Sequence, residues 1–273
     1  MVADAGAHPE LPDLRGLRGR IAVITGAGGE IGRAVCMRLS LEGALVIATD
    51  RNLDLAEKTA TELVAAGGVG RALRVDVTSP QQLEAIAPFA AAELGAPPHV
   101  LVSCAGVQTF ADVLDLSVES WDRVLDVNAR GTFLAMQVVG RAMRSNGVGA
   151  IVAIASIQGR LGSRYYAHYS ASKAAVLSLT KSFAVALAPD GIRVNSVAPG
   201  IVDTEMWRTA DAELARLRGI PAGEPRRQRV DQVPLRRPGT PRDVAAAVAF
   251  LASDDASYIT GECIHVCGGD VML

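Results

Sequence analysis

Neither sign of charge is in excess in this sequence: 27 Lys and Arg stand against 29 Asp and Glu, a formal net charge of −2. A protein that neutralises backbone phosphates needs a basic footprint, so no nucleic-acid partner is expected. Long hydrophobic runs are also missing. None reaches the roughly 20 residues that span a bilayer, so no membrane partner is expected either. Cysteine is scarce, at four residues. Cys36, Cys104, Cys263 and Cys267 lack the paired spacing of a zinc site; no metal is expected, and the thiols read as free and buried. Residues 1–16 carry Asp4, His8, Pro9, Glu10, Pro12 and Asp13 but no apolar core segment. They are expected to form a flexible leader and not a secretion signal, which leaves a cytoplasmic location. No repeat with a period of about 20 to 50 residues is present.

What the sequence does have is alternation. Apolar, strand-like runs at 21–25, 44–49, 73–75, 100–103, 151–155, 193–198 and 263–266 are separated by stretches with helical periodicity. That order predicts an α/β fold, a doubly wound parallel sheet of Rossmann type with helices on both faces. A chain of 273 residues is long for one domain, but sheets of this kind reach that size, and one domain over 17–273 is expected. Ligands of such sheets bind at the carboxyl ends of the strands. The alternation breaks at 203–240, where Trp207, Pro221, Gly223, Pro225 and Pro234 are mixed with many arginines. An insertion this long beside a binding crevice predicts a substrate lid.

The first strand-like run leads into Gly26-Ala-Gly-Gly-Glu-Ile-Gly32, and helical periodicity follows over 33–42. A glycine-rich turn between strand and helix cradles a pyrophosphate, because glycine permits close backbone approach and the helix N-terminus supplies amide donors. Gly26, Gly28, Glu30, Ile31 and Gly32 are therefore candidate cofactor-binding residues. The second strand-like run ends at Asp50. A carboxylate there accepts hydrogen bonds from both adenosine ribose hydroxyls and repels a 2′-phosphate, which favours NAD over NADP. Arg51 and Arg33 are the residues able to pair with a phosphate if Asp50 turns away.

Tyr169 and Lys173 lie four residues apart in Tyr-Ser-Ala-Ser-Lys, and Ser156 closes the apolar run at 151–155. On a helix, residues i and i+4 share a face, so an ammonium at Lys173 is placed to favour the Tyr169 phenolate. Ser156, at a strand end, is placed to hydrogen-bond a substrate oxygen and the same phenol. Together these three groups read as an acid/base site converting an alcohol to a carbonyl or the reverse. His168 points about 100° away from its neighbour on the helix and reads as a surface or interface residue. Arg226, Arg227 and Arg229 read as a solvated face, the alternative being a pairing with an acidic substrate or a neighbouring subunit.

With these motifs in place, the chain resembles the short-chain dehydrogenase/reductase family from about Leu17 to its C-terminus. The resemblance implies a catalytic tetrad at Asn128, Ser156, Tyr169 and Lys173. Asn128 interrupts the helix expected over 118–144 and holds a water that relays protons from Lys173. It further implies adenine contacts at Asp76 and Val77, a cofactor floor at Ala105 and Gly106, and a segment holding the nicotinamide at Pro199, Gly200, Val202 and Thr204. Tyr169 and Lys173 also contact the cofactor in this family, which is usually tetrameric, so a homotetramer is expected. The lid is similar to those of polyol and 2,3-butanediol (acetoin) dehydrogenases, with Ser156, Gln158, Tyr165, Tyr169 and Trp207 expected at the small-molecule substrate. The sequence departs from the family in three places. Glu30 stands where glycine is usual and weakens cofactor binding unless its side chain turns away. Ser103 and Cys104 replace two asparagines, and Cys267 replaces an aspartate. The alternatives are an NADPH-dependent reductase of 3-oxoacyl or cyclic ketone substrates and a non-catalytic NAD(H)-binding sensor. Tyr169→Phe is expected to abolish turnover while NADH binding, followed by fluorescence, is retained; survival of most of kcat would refute the assignment.

Overall fold

The computed structural model describes residues 16–272, so the leader expected at 1–16 lies outside them apart from Gly16. Seven parallel strands form one sheet: β1 (Ile21–Thr25), β2 (Leu45–Asp50), β3 (Val69–Arg74), β4 (Val100–Ser103), β5 (Gly149–Ile154), β6 (Ile192–Pro199) and β7 (Cys263–Val266). Their spatial order is β3-β2-β1-β4-β5-β6-β7. The central strands β1, β4 and β5 are buried along their whole length, which is why their sequences are continuous apolar runs and not alternating ones. Successive residues feed opposite cores. Ala22 and Ile24 of β1 pack with one layer of helices, and Ile21 and Val23 pack with the other.

The first layer consists of α1 (Glu30–Leu41), α2 (Leu53–Ala65) and, last in the chain, α10 (Pro241–Ala252). Thr240 and Asp243 form a reciprocal capping box at the start of α10, with Pro241 in its first turn, so the end of the sequence break is sharply defined. On the other face lie α3 (Pro80–Glu84), α4 (Ile86–Leu94), α5 (Val118–Leu125), α6 (Gly131–Met143) and α7 (Ala167–Leu187). The segment Ala167–Asp190, with a mean hydropathy of 1.2, is long and apolar enough by length and composition to cross a membrane. In this fold it packs along β6 and α5 with Ser172, Lys173 and Thr180 buried.

Three expectations change in detail. The helix expected over 118–144 is divided into α5 and α6 by a π-helical turn, Asp126–Arg130, that carries Asn128. The strand expected at 73–75 runs over Val69–Arg74, because β3 is the sheet edge and its half-exposed residues lack a clean apolar run. The break at 203–240 is itself helical, forming α8 (Glu205–Arg218) and α9 (Glu224–Gln232).

The order of the strands reverses between β1 and β4, and the crevice above that point is where such sheets bind ligands. Gly26 ends β1 there with φ +65°, and a Cβ on it would stand 2.7 Å from the Ala105 Cα after β4. Gly32 brings α1 down onto the turn, and a Cβ there would stand 2.2 Å from the Gly26 carbonyl oxygen. Gly32→Ala is therefore expected to destabilise the fold by about 1–3 kcal/mol through overpacking. Gly29→Ala, whose added Cβ meets only the Gly26 oxygen at 3.4 Å, should cost less than about 1 kcal/mol. Denaturant midpoints of the two variants check the difference.

Candidate active site

A cavity of about 350 Å³ opens above the carboxyl ends of the central strands. Gly26, Glu30, Ile31 and Gly32 line it from the glycine-rich turn, with Asp50 at the end of β2. Ala105 and Gly106 form the floor after β4; Ser156 and Gln158 follow β5; Tyr169 and Lys173 project from α7; Pro199, Gly200, Val202 and Thr204 follow β6; and Trp207 closes it from α8. The residues singled out for cofactor, catalysis and substrate are thus largely brought together from seven separate elements.

The remaining candidates lie behind this wall or beside it. The Gly28 amide donates to Asp50 Oδ2 at 3.1 Å, and the Asn52 amide donates to Asp50 Oδ1 at 3.0 Å. The carboxylate at the strand end is therefore held by the turn itself. Asp76 Oδ1 accepts from the Thr78 amide at 2.9 Å and from its hydroxyl at 2.7 Å, and these bonds, the amide first, lower its pKa with help from Arg51 and Arg74. Arg51 is exposed, and Arg33 is paired with Glu62 on α2. Val77 is buried, and a Cβ on Gly131 would stand 2.6 Å from its Cγ2, so it packs under the start of α6.

Asn128 is fully buried and clamps two segments. Its Oδ1 accepts from the Val107 amide at 2.8 Å while its Nδ2 donates to the Val107 carbonyl at 2.9 Å and to Ser172 Oγ at 3.0 Å. Ser172 in turn donates to the Tyr169 carbonyl at 2.7 Å. Both N–H groups of the amide are committed, so its side chain fixes the loop after β4 against the helix bearing Tyr169 and Lys173.

Lys173 Nζ donates to the Ile154 carbonyl at 2.7 Å and sits 5.7 Å from the centre of the Tyr169 ring. Burial pushes the Tyr169 phenol up to about 12, with the Ser156 hydroxyl pulling the other way. Burial also pushes Lys173 down to about 8. The sequence predicts a phenol lowered by Lys173; here desolvation outweighs that effect, because the ammonium is itself desolvated and turned to a strand carbonyl. Ser156 Oγ accepts from the Gln158 amide at 3.2 Å and makes a long contact to the Pro199 carbonyl at 3.5 Å, so its hydroxyl is held at the mouth of β5.

Two substrate-side expectations are corrected. Tyr166, not Tyr165, lines the cavity, in edge contact with Tyr169 at 6.4 Å between ring centres. Tyr165 faces a neighbouring cavity of about 240 Å³, with the Arg164 guanidinium 5.4 Å from its ring. The chain leaves the helical path at Tyr166, where φ is −153° and ψ 47°, so a helical register drawn back from Tyr169 fails there. Arg229 is not part of a solvated face. It lines both cavities and pairs with the buried carboxylate of Asp270. His168 is likewise no surface residue: it is fully buried, with Nε2 against Thr109 Oγ1, which contacts Ser120 Oγ at 2.6 Å. Cys104, which departs from the expected asparagine, also lines the cavity, and burial holds its thiol up at about 12.

Residues 26–270 match the family model described as enoyl-(acyl carrier protein) reductase. A (3R)-3-hydroxyacyl-CoA dehydrogenase of Canis lupus familiaris is 39% identical over 264 residues, covering 94% of this chain and 98% of the relative. A galactitol 2-dehydrogenase of Agrobacterium fabrum is 38% identical over 258 residues, covering 94% and 99%. The solved structure of an NAD+-bound xylitol dehydrogenase superposes with a TM-score of 0.89 at 32% identity, covering 93% of this chain and 100% of that one.

The chain belongs to the short-chain dehydrogenase/reductase family. It is an oxidoreductase that interconverts an alcohol and a ketone with NAD(P), which sets aside the non-catalytic sensor. The dinucleotide fits the residues present. The start of α1 has no side-chain cap, so its amides remain open to a phosphate beside glycines whose Cβ positions are sterically closed. The departure at Glu30 is accommodated by orientation. Its Oε2 accepts from the Glu205 amide and its Oε1 from Arg208 Nη2 at 3.2 Å, so the carboxylate turns to the lid and away from the turn's amides.

The raised phenol gives a direct prediction. A spectrophotometric titration of the dinucleotide-free dehydrogenase, subtracting Tyr169→Phe from wild type, should place Tyr169 ionisation above about pH 10, later than an ordinary tyrosine. Burial disfavours the charged form, so the proton is retained as pH rises. An ionisation near neutrality would overturn this.

Proposed function

We propose that this chain is an NAD(H)-dependent dehydrogenase of polyols or vicinal diols. The observation that carries the substrate side is that Gln158 and Trp207, two residues lining the cavity, each hold a buried polar atom without a partner, Oε1 and Nε1. One is an acceptor and the other a donor, and a hydroxyl group both donates and accepts. A substrate bearing hydroxyls beyond the reacting one satisfies both, whereas a simple secondary alcohol leaves them unpaired at the usual cost of a buried orphan. The names of two relatives, a galactitol and a xylitol dehydrogenase, agree with this reading.

On the cofactor side, the Asp50 carboxylate at the end of β2 favours NAD because it meets ribose hydroxyls and repels a 2′-phosphate. Of the two arginines able to pair with a 2′-phosphate, Arg33 is engaged with Glu62, which supports this preference, while Arg51 is exposed beside Asp50. A bound nicotinamide supplies the hydride acceptor. Around it, Tyr169 takes the hydroxyl proton in its phenolate form, which the Lys173 ammonium favours against the effect of burial, and Ser156 hydrogen-bonds the oxygen as it becomes a carbonyl. Asn128 keeps the helix of Tyr169 and Lys173 in register with the floor of the site.

A second reading, reduction of a 3-oxoacyl substrate, is favoured by the neighbouring cavity. It shares Tyr166, Trp207 and Arg229 with the main one and adds Arg218, which gives room and charge for an acidic or extended tail. The two readings separate in one experiment: fluorescence titration with NADH and NADPH, then oxidation of a diol and polyol panel with the preferred cofactor. NADH preference with turnover of a vicinal diol is expected. Gln158→Leu should then lower kcat/KM for the diol about tenfold, the loss of one hydrogen bond, while sparing a simple secondary alcohol. NADPH preference, or binding without diol turnover, would favour the 3-oxoacyl reading.

A further inference from the structure

Glu30 occupies the first position of α1, at the rim of the cavity, and its carboxylate is spent on the lid. Oε2 accepts from the Glu205 amide, the first of α8, and Oε1 accepts from Arg208 Nη2 one turn further along. The lid helix needs this partner. Its own N-cap, Thr204, gives no side-chain cap and donates its hydroxyl to the Val202 carbonyl at 3.3 Å. A carboxylate 175 positions away in sequence thus supplies the acceptor and the negative charge that a helix N-terminus favours. Arg208 extends the tie. It also meets Glu205 at 2.8 Å and Asp203 at 3.6 Å, and Asp203 accepts from Arg226 of α9 at 3.2 Å. Both lid helices are fastened to the phosphate-binding turn through one side chain.

We propose that Glu30 and Arg208 form a latch that holds the lid across the dinucleotide and sets the rate at which the dinucleotide leaves. The proposal rests on the reading of the glycine-rich turn as the dinucleotide site. Glu30 and Glu205 both line the cavity, so the tie crosses its rim beside the turn, and an exiting dinucleotide has to pass it. The same pairing has an electrostatic consequence. Arg208 offsets a carboxylate that stands next to the seat of a pyrophosphate, so Glu30 is tolerated only while it is latched. Glu30 and Arg208 are positioning residues, since neither is placed at the reacting oxygen. Their side chains are 43% and 50% exposed, so the tie is of modest strength, is screened by salt, and opens readily.

Stopped-flow displacement of bound NADH by excess NAD+ tests the latch in wild type, Glu30→Gly, Arg208→Ala and the double variant. Each single change is expected to speed NADH release about five- to tenfold, and the double variant to be no faster than the faster single one. Arg208→Lys should fall between wild type and Arg208→Ala. Raising salt to about 0.5 M should speed release from wild type but not from the double variant. Release unchanged in all variants, or single effects that multiply in the double variant, would overturn the latch. Slower release from Glu30→Gly would also overturn it, showing that Glu30 acts only by repelling the phosphates. If wild type binds neither NADH nor NADPH, the dinucleotide site itself fails, and the latch with it.

Discussion

The site depends on one contact between two backbones, that of Gly26 at the end of β1 with Ala105 after β4. The chain builds the sheet outward to β3 and then returns to lay β4 against β1, so two strand ends that are far apart in sequence meet with no helix between them. Thr25 fixes the junction: its hydroxyl oxygen accepts from the amides of Cys104 and Ala105 at 3.1 and 3.2 Å. The turn is held on its other side by the Ala27 amide, which donates to the Thr49 carbonyl at 2.9 Å, and by the bond from Gly28 to Asp50. Glycine at position 26 is thus a requirement of packing and also of its left-handed φ. The glycine-rich turn, the Asp50 carboxylate and the floor are fixed relative to one another before any ligand arrives.

Tyr169 and Lys173 are arranged on the opposite side of the crevice by different means. There the constraint is burial. The side chain of Asn128 welds the Val107 backbone to α7, and the Lys173 ammonium reaches across to the last carbonyl of β5. Excluding water raises the phenol and lowers the ammonium together. The two pKa values move apart, to about 12 and about 8, because burial favours the neutral form of each group. The π-helical turn makes this possible. It adds a residue's width to the helix at Asp126–Arg130 and carries Asn128 inward without ending the helix.

Much of this was legible in the residues, for physical reasons that also explain the rest. Strands buried on both faces leave unbroken apolar runs, so β1 and β4 appear at their observed bounds. Edge strand β3, with Gly70 and two arginines, leaves no such run. Motif residues at strand ends are legible because topology alone brings them to one crevice. What sequence spacing does not carry is a partner found only by folding. Arg229 is a wall residue because Asp270 sits under it, and His168 is interior because Thr109 and Ser120 receive it. Helix α9 is silent for another reason. Glu-Pro-Arg-Arg-Gln-Arg-Val-Asp-Gln buries Pro225 alone, so no apolar stripe announces it, and ion pairs such as Arg227 with Glu224 and Asp231 organise its surface.

The buried ammonium of Lys173 separates two kinds of fitness that usually travel together. A cation with a pKa near 8 in the interior is held there against its preference for water, and an apolar chain of similar length would occupy the same channel with less electrostatic penalty. Directed evolution that screens this protein for heat tolerance alone would therefore be drawn toward replacing the amine that the proposed chemistry uses. Thermostable variants of this scaffold should be selected with turnover as a second criterion, because at this position stability and the proposed catalytic role are ranked in opposite order.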